Sequence, residues 1–352
     1  MILNPKSKFE MPGFSVFTGQ AVKDILEKNQ NELVQIIEKA YLTHETKDSA
    51  NPNSSFIRFP KQPLDRIIAL PAWLGGSFNV SGIKWIASFP ENVKHGIPRA
   101  SAVLLLNDQI TGYPVACMEA SLISAYRTAI SAVIGAYYLN QKKLTKSSIG
   151  LLGAGPIAAN ILKQFIYQGW KFEQVKIFDI SSERAKSFIN AFKLKFPEIF
   201  SKVSFEVVDS AEDLVRQSDI LALATVASQP HLLDVSLFSH NPIVLNISLR
   251  DLAPEILLQS ENIVDDVDHV LNAQTSPHLA YQKTGNKDFI NGTLAQLINE
   301  EIHIDFKRLR IFSPFGLGVL DIALAQFIWE ASKGTKDGTE ISDFYSESLL
   351  EL

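Results

Sequence analysis

The stretch "SIGLLGAGPIAAN" joins an apolar strand to a helix through Gly153, Ala154, Gly155 and Pro156. Gly153 permits a tight turn, Gly155 lets a pyrophosphate approach the backbone, and Pro156 followed by Ile157 suits the first turn of a helix. The N–H groups and positive dipole end of that helix would face phosphates. Ala158 stands where a third glycine is common, and Asp179 closes the next strand, "QVKIFD", at the distance from which a carboxylate accepts hydrogen bonds from an adenosine ribose. A strand-to-helix turn that holds no nucleotide has the same pattern. Asp179 disfavours a 2′-phosphate, and Arg184 is expected to lie too far along the following helix to compensate, so NAD is expected ahead of NADP. Four cations sit inside apolar elements: Arg58 in "SFIRFP", Lys84 in "SGIKWIAS", Arg99 in "IPRASAV" and Arg127 in "SAYRTAIS". Such a cation is costly unless paired, and a substrate carboxylate would pair it. Each could instead reach water or a protein carboxylate. Asp251, in "VLNISLRDLAPE", falls near the carboxyl end of a strand, where open α/β sheets keep their chemistry. It could instead cap a helix over "APEILLQ".

The elements that must position these residues fall into three blocks. Residues 22–45 carry apolar residues at three- and four-residue spacing, which predicts one amphipathic helix. The runs "DRIIALPAWL", "VSGIKWIASF", "RASAVLLLND" and "YPVACMEA" read as strands of one sheet, followed by a Ser-capped, apolar helix over "SLISAYRTAISAVIGAYYL". From there strands and helices alternate, as in a parallel sheet covered by helices. The tail "LRIFSPFGLGVLDIALAQFIWE" returns to a strand, a glycine turn and an apolar helix that could pack back on the first block. With 352 residues, 46% of them apolar, the chain has material for two cores. Its net charge of −5, with both signs interspersed, offers no stripe for nucleic acid or anionic lipid. No apolar run approaches a membrane span, and "MILNPKSKFEMPGF" lacks the layout of a signal peptide, so a cytoplasmic protein is expected. The single cysteine, Cys117, agrees with a reducing compartment and reads as a packed strand residue. The seven histidines show no metal-ligand spacing, and no metal is expected.

In "GIKWIAS", "EASLISAYRTA", "GLLGAGPIA", "NISLRD" and "FGLGVLDIALAQFIWE", in that order, the chain resembles the ornithine cyclodeaminase and μ-crystallin family over nearly its whole length. The resemblance implies an α/β fold in which a Rossmann-type parallel-sheet domain, residues 141–313, is inserted in a discontinuous α+β dimerisation and substrate domain, residues 1–140 and 314–352. It implies a homodimer, a substrate carboxylate held by Arg58, Lys84 and Arg127, and Asp251 as the acid that handles protons and water, with Lys84 beside it in catalysis. It further implies cofactor contacts from Arg127, Gly153, Gly155, Pro156, Ile157, Asp179, Thr225, Ser248, Leu249, Arg250 and Phe315, and a substrate contact at Gly316. Cyclodeaminases carry a glutamate where this chain has Ile68, so the group that would meet a distal amine is missing. "DRIIALPAWLGG" and "RASAVLLLND" look more like the N-[(2S)-2-amino-2-carboxyethyl]-L-glutamate dehydrogenases of 2,3-diaminopropionate biosynthesis. That resemblance implies an NAD-dependent oxidative cleavage of an amino-acid conjugate with three carboxylates, one of them available to Arg99 or Arg250. A cyclodeaminase, an imine reductase, an amino-acid dehydrogenase and a μ-crystallin-like binding protein remain the alternatives.

Overall fold

A computed structural model describes residues 11–346; the segment "MILNPKSKFE", most of the stretch read above for targeting, lies outside them. Two compact units form, one from both chain ends, up to Ser124 and from Gly318 onward, the other from Ala125 to Leu317. The first begins with β1 (Phe14–Phe17), α1 (Gly19–Lys28) and α2 (Gln30–Glu45). The single amphipathic helix expected over residues 22–45 is thus two. Asn29 leaves helical geometry (φ −119°, ψ 31°) and its side-chain amide donates to the Ile25 carbonyl, which ends α1. The apolar period continues across that break, so spacing alone does not reveal it.

Then come β2 (Ser49–Ala50), β3 (Ser55–Phe59), β4 (Gln62–Leu74), β5 (Val80–Ser88), β6 (Ala100–Asn107) and β7 (Pro114–Glu119). β4 to β7 form an antiparallel meander, and burial alternates along β6 and the first half of β5. Pro71 sits within β4, in the gap that β3, pairing up to Ala69, and β2, pairing from Trp73, leave between them on one edge. The C-terminal helix, Gly318–Ser332, packs with α1 and α2 and covers one face of β4 to β6. The opposite face exposes Trp85 (41%) and Val103 (44%), directly paired across β5 and β6. Cys117 is half-buried on β7, and burial pushes its thiol up.

α3 (Ser121–Leu139) begins in the last residues of the first unit's N-terminal segment and carries the chain into the second. Its first-turn N–H groups are satisfied by the Glu119 carboxylate, which accepts from Ser121 and Leu122, so Glu119 does the work expected of a serine cap. Eight strands follow: β8 (Ser148–Leu152), β9 (Gln174–Phe178), β10 (Ser204–Val207), β11 (Ile220–Leu223), β12 (Ile243–Asn246), β13 (Glu261–Val264), β14 (Ile290–Thr293) and β15 (Arg310–Ser313). All pair in parallel, in the order β10-β9-β8-β11-β12-β15-β13-β14. α4 (Pro156–Tyr167) and α5 (Ser182–Lys195) make the first two crossovers. The order reverses between β8 and β11, the kind of point at which doubly wound sheets open a ligand crevice. The expected α/β class with a Rossmann-type parallel sheet is what the chain forms.

Arg310, on β15, is buried and its guanidinium donates to three carbonyls: Leu139 at 3.1 Å, Asn241 at 2.7 Å and Arg308 at 3.0 Å. Burial lowers its pKa, yet a cation suits the Leu139 carbonyl because that residue ends α3, at the negative pole of the helix dipole. An ammonium cannot reproduce that fork. Arg310→Lys is therefore expected to lower unfolding free energy by about 2 kcal/mol, and Arg310→Met by more, in denaturant titrations.

Candidate functional site

The local sequence around β8 leaves little choice of geometry. All five strand residues are buried, and Gly153 follows with φ +99°; a Cβ there would lie 2.6 Å from the Ala224 carbonyl oxygen. Only glycine tolerates both constraints. The Gly153 N–H donates to the Phe178 carbonyl at 2.7 Å, which fixes the turn against the end of β9. α4 then starts at Gly155 and Pro156 with no side-chain cap, and a Cβ at Gly155 would meet nothing within 4 Å. This open, uncapped, positive helix end suits a diphosphate.

Asp179 stands at the end of β9 as expected. One oxygen accepts from the Ala154 N–H and the other from the Ser181 N–H, both at 2.9 Å, so the carboxylate is anchored beside the glycine turn. Arg184 departs from the expectation. Ser181 caps α5, and from that helix's first turn the Arg184 side chain folds back to put Nη1 3.7 Å from Asp179. A long side chain thus spans what sequence separation placed out of reach.

Asp251 is fully buried, and three side chains converge on its carboxylate. The Thr225 hydroxyl, just past β11, donates to Oδ1 at 2.5 Å; the Ser248 hydroxyl, just past β12, donates to Oδ2; His231 Nε2 lies 2.8 Å from Oδ1. The following short helix is capped by Ala253, so the capping role considered for Asp251 is absent. Between Ser248 and Asp251, Leu249 has φ +79°, a costly conformation for a branched side chain. Its carbonyl accepts from the Ser276 N–H at 2.7 Å, and Arg250 donates to the Ala273 carbonyl at 3.0 Å, which together hold the loop in that shape.

Just past β13, the buried Asp265 accepts from the N–H groups of Phe315 at 2.9 Å and Gly316 at 2.7 Å, which follow β15. Burial pushes this carboxyl up, and those backbone bonds oppose the shift. Gly316 has φ +98°, and a Cβ there would come within 2.5 Å of Arg127 Nη1. The guanidinium of Arg127 therefore lies against the Phe315–Gly316 turn.

In the first unit Lys84 is buried on the helix-covered face of β5, with Nζ 2.6 Å from Asp321 and 3.2 Å from the Ser124 hydroxyl. Of the partners considered for it, the protein carboxylate is realised. Arg99 donates to the Ser88 hydroxyl at 3.1 Å, and desolvation lowers its pKa. Arg58 lies over the Phe56 ring on β3, and its register partners run Arg66 to Ser88 across the sheet. Arg58 and Arg99 thus meet the same row, while Lys84 lies four residues along β5.

His231, Asp265 and Asp321 were not singled out from the sequence. Asp321 carried a usable signal, a charge inside the apolar run "GVLDIALAQ". The other two lie in polar loops without one.

The family model described as "Ornithine cyclodeaminase/mu-crystallin family" matches residues 18–336. The chain is 30% identical over 317 residues to N-((2S)-2-amino-2-carboxyethyl)-L-glutamate dehydrogenase of Staphylococcus aureus, a match that covers 88% of this chain and 92% of that protein. It is 24% identical over 337 residues to alanine dehydrogenase of Archaeoglobus fulgidus, covering 94% and 98% respectively. Among solved structures, Thermococcus litoralis Δ1-pyrroline-2-carboxylate reductase in complex with NADH and L-proline has the same fold, with a TM-score of 0.84 at 23% identity over 93% of this chain and 100% of that one.

Removing one member of a buried ion pair leaves the other charge without compensation. Asp321→Asn is expected to cost about 3 kcal/mol or more of stability, and the double change Lys84→Met with Asp321→Leu to recover most of it. Urea titration of the three variants checks both statements.

Proposed function

We propose, because the chain belongs to the ornithine cyclodeaminase/mu-crystallin family, that it is an NAD-dependent oxidoreductase acting on the CH–NH bond of an amino-acid substrate. The observation that carries this reading is the convergence, at the carboxyl ends of neighbouring parallel strands, of the Gly153 turn, the anchored Asp179 and the buried Asp251. The residues at the turn fit a dinucleotide: α4 for its phosphates, Asp179 for a ribose diol. NAD, when bound, accepts a hydride from a substrate carbon.

The substrate we favour is N-[(2S)-2-amino-2-carboxyethyl]-L-glutamate. Its secondary amine is oxidised at the glutamate Cα, and water cleaves the resulting imine to 2-oxoglutarate and L-2,3-diaminopropionate. Arg127 holds the α-carboxylate together with Lys84, whose ammonium keeps its bond to Asp321, while Asp251 takes a proton from the amine or the attacking water. Arg99 supports a substrate rich in carboxylates, being desolvated with a hydroxyl as its only hydrogen-bond partner among the described residues. Ile68, half-buried on β4, stands where a cyclodeaminase would need an acid. Reduction of an imine or deamination of a simpler amino acid is the second reading, favoured by the similarity to the Archaeoglobus fulgidus enzyme.

NADH absorbance with the conjugate, ornithine, alanine and cyclic imines tests the assignment. Turnover of the conjugate, with 2-oxoglutarate as product and NAD used ahead of NADP, is the expected result. Faster turnover of alanine or of a cyclic imine would overturn the substrate.

We also propose a homodimer, in a reducing cytoplasm, that covers the exposed face of the first unit's sheet. On it Trp85 and Val103 pair directly, flanked by the row Pro71, Ile83, Leu105. Light scattering is expected to give twice the chain mass at micromolar concentration, and Trp85→Glu with Val103→Glu to shift the protein toward monomer.

A further inference from the structure

We propose that His231 is the relay through which Asp251 exchanges its proton with solvent. The inference rests on the proton-handling role of Asp251 in the reading above. A group that accepts a proton in each turnover must also release it. Asp251 has no exposed surface, and two of its three partners are hydroxyls, which do not hold an extra proton near neutrality. The Thr225 hydroxyl is further committed: its oxygen accepts from the Ala227 N–H at 3.1 Å while its hydrogen goes to Asp251. His231 is the one titratable side chain bonded to this carboxylate among the described residues, and its side chain is 41% exposed.

The pairing is built into the backbone. The N–H groups of His231 and Leu232 both donate to the Asp251 carbonyl at 3.0 Å, and the Ala253 N–H returns to the Leu232 carbonyl at 3.0 Å. A short parallel bridge, Leu232 with Leu252, locks the two segments in register. The imidazole is thereby held beside the carboxylate by five residues that belong to no long element.

Proton bookkeeping closes. With neutral imidazole carrying its hydrogen on Nδ1, a proton that reaches Asp251 Oδ1 passes to Nε2 and gives an imidazolium–carboxylate pair. Nδ1 then releases a proton to water, leaving Nε2–H donating to Oδ1; exchange of the ring hydrogen through water resets the cycle. One proton enters from the reacting group and one leaves, with no net charge stored. Two carboxylates face the ring, Asp251 and, at longer range, Glu212. The Asp251 hydrogen bond raises the histidine pKa most, burial opposes it, and the two charges add to the rise. Oxidation of an amine releases protons, so the neutral ring is the competent form. The rate should rise with pH through a limb lying above the ordinary histidine range, and reduction should show the opposite limb.

The full-length protein, labelled with 15N-histidine, tests the dyad without any substrate. Ring resonances of His231, identified by their loss in His231→Gln, should titrate above an ordinary histidine, and in Asp251→Asn the midpoint should fall by about one pH unit. In turnover assays His231→Gln should lose roughly 100-fold in kcat with KM little changed, and the pH limb should vanish. Imidazole added to His231→Ala should restore the rate saturably, which a merely structural histidine would not permit. An ordinary midpoint unmoved by Asp251→Asn, or an active enzyme whose kcat and pH limb survive His231→Gln, overturns the relay while leaving the oxidoreductase reading intact. A wild-type protein that turns over none of the amino acids or imines overturns that reading, and the relay falls with it.

Discussion

A carboxylate with no exposed surface must have its acceptor sites filled, and the second unit is arranged around meeting that demand for Asp251. Its donors come from three places: the end of β11, the end of β12 and the loop at His231. Thr225 and His231 lie 26 and 20 positions before Asp251, and Ser248 three. The strand order supplies the proximity, since β8, β11 and β12 are consecutive neighbours in the parallel sheet and deliver Gly153, Thr225 and Ser248 to one edge. The left-handed Leu249 belongs to the same solution, because turning the chain there places both Ser248 and Asp251 where a hydroxyl meets a carboxylate. A conformation disfavoured in itself persists because the surrounding bonds over-determine it.

Much of this was legible in the sequence, and the parts that were share a property: they are local. The glycine turn, the apolar strand before it and Asp179 at the end of the next strand fall within a single βαβ unit, so residue type and spacing fix their relation. Cations inside apolar runs were legible for a similar reason, since a buried charge is anomalous wherever it occurs. Their partners were not. Asp321 is 237 positions from Lys84, and Asp265 is 51 from the Gly316 N–H it accepts. Only the folded topology relates such pairs. Arg184 shows the complementary failure, in which a flexible side chain of about four rotatable bonds erases one helical turn of separation.

Three buried charges are handled in three ways. Lys84 meets an opposite charge, Arg310 meets three carbonyls, and Asp265 meets backbone N–H groups. Each fixes something that apolar packing leaves free: the seat of the C-terminal helix on its sheet, the end of α3, and the turn against which Arg127 lies. Directional bonds to a desolvated charge have narrow geometric tolerance, whereas dispersion contacts are forgiving by comparison.

The first sheet is completed by the last described strand. β16 (Thr339–Ile341) pairs antiparallel with β1, and the C-terminal helix roofs β4 to β6. On a ribosome the strands up to Glu119 emerge long before either piece exists, so helix-facing side chains of β5 and β6, Lys84 and Leu104 among them, wait without that cover. The continuous parallel unit, Ala125 to Leu317, has all its strands available earlier. Synthesis therefore runs in the reverse of assembly: the segment made first is finished last, and during that interval its meander presents the apolar surface that the C-terminal helix will cover.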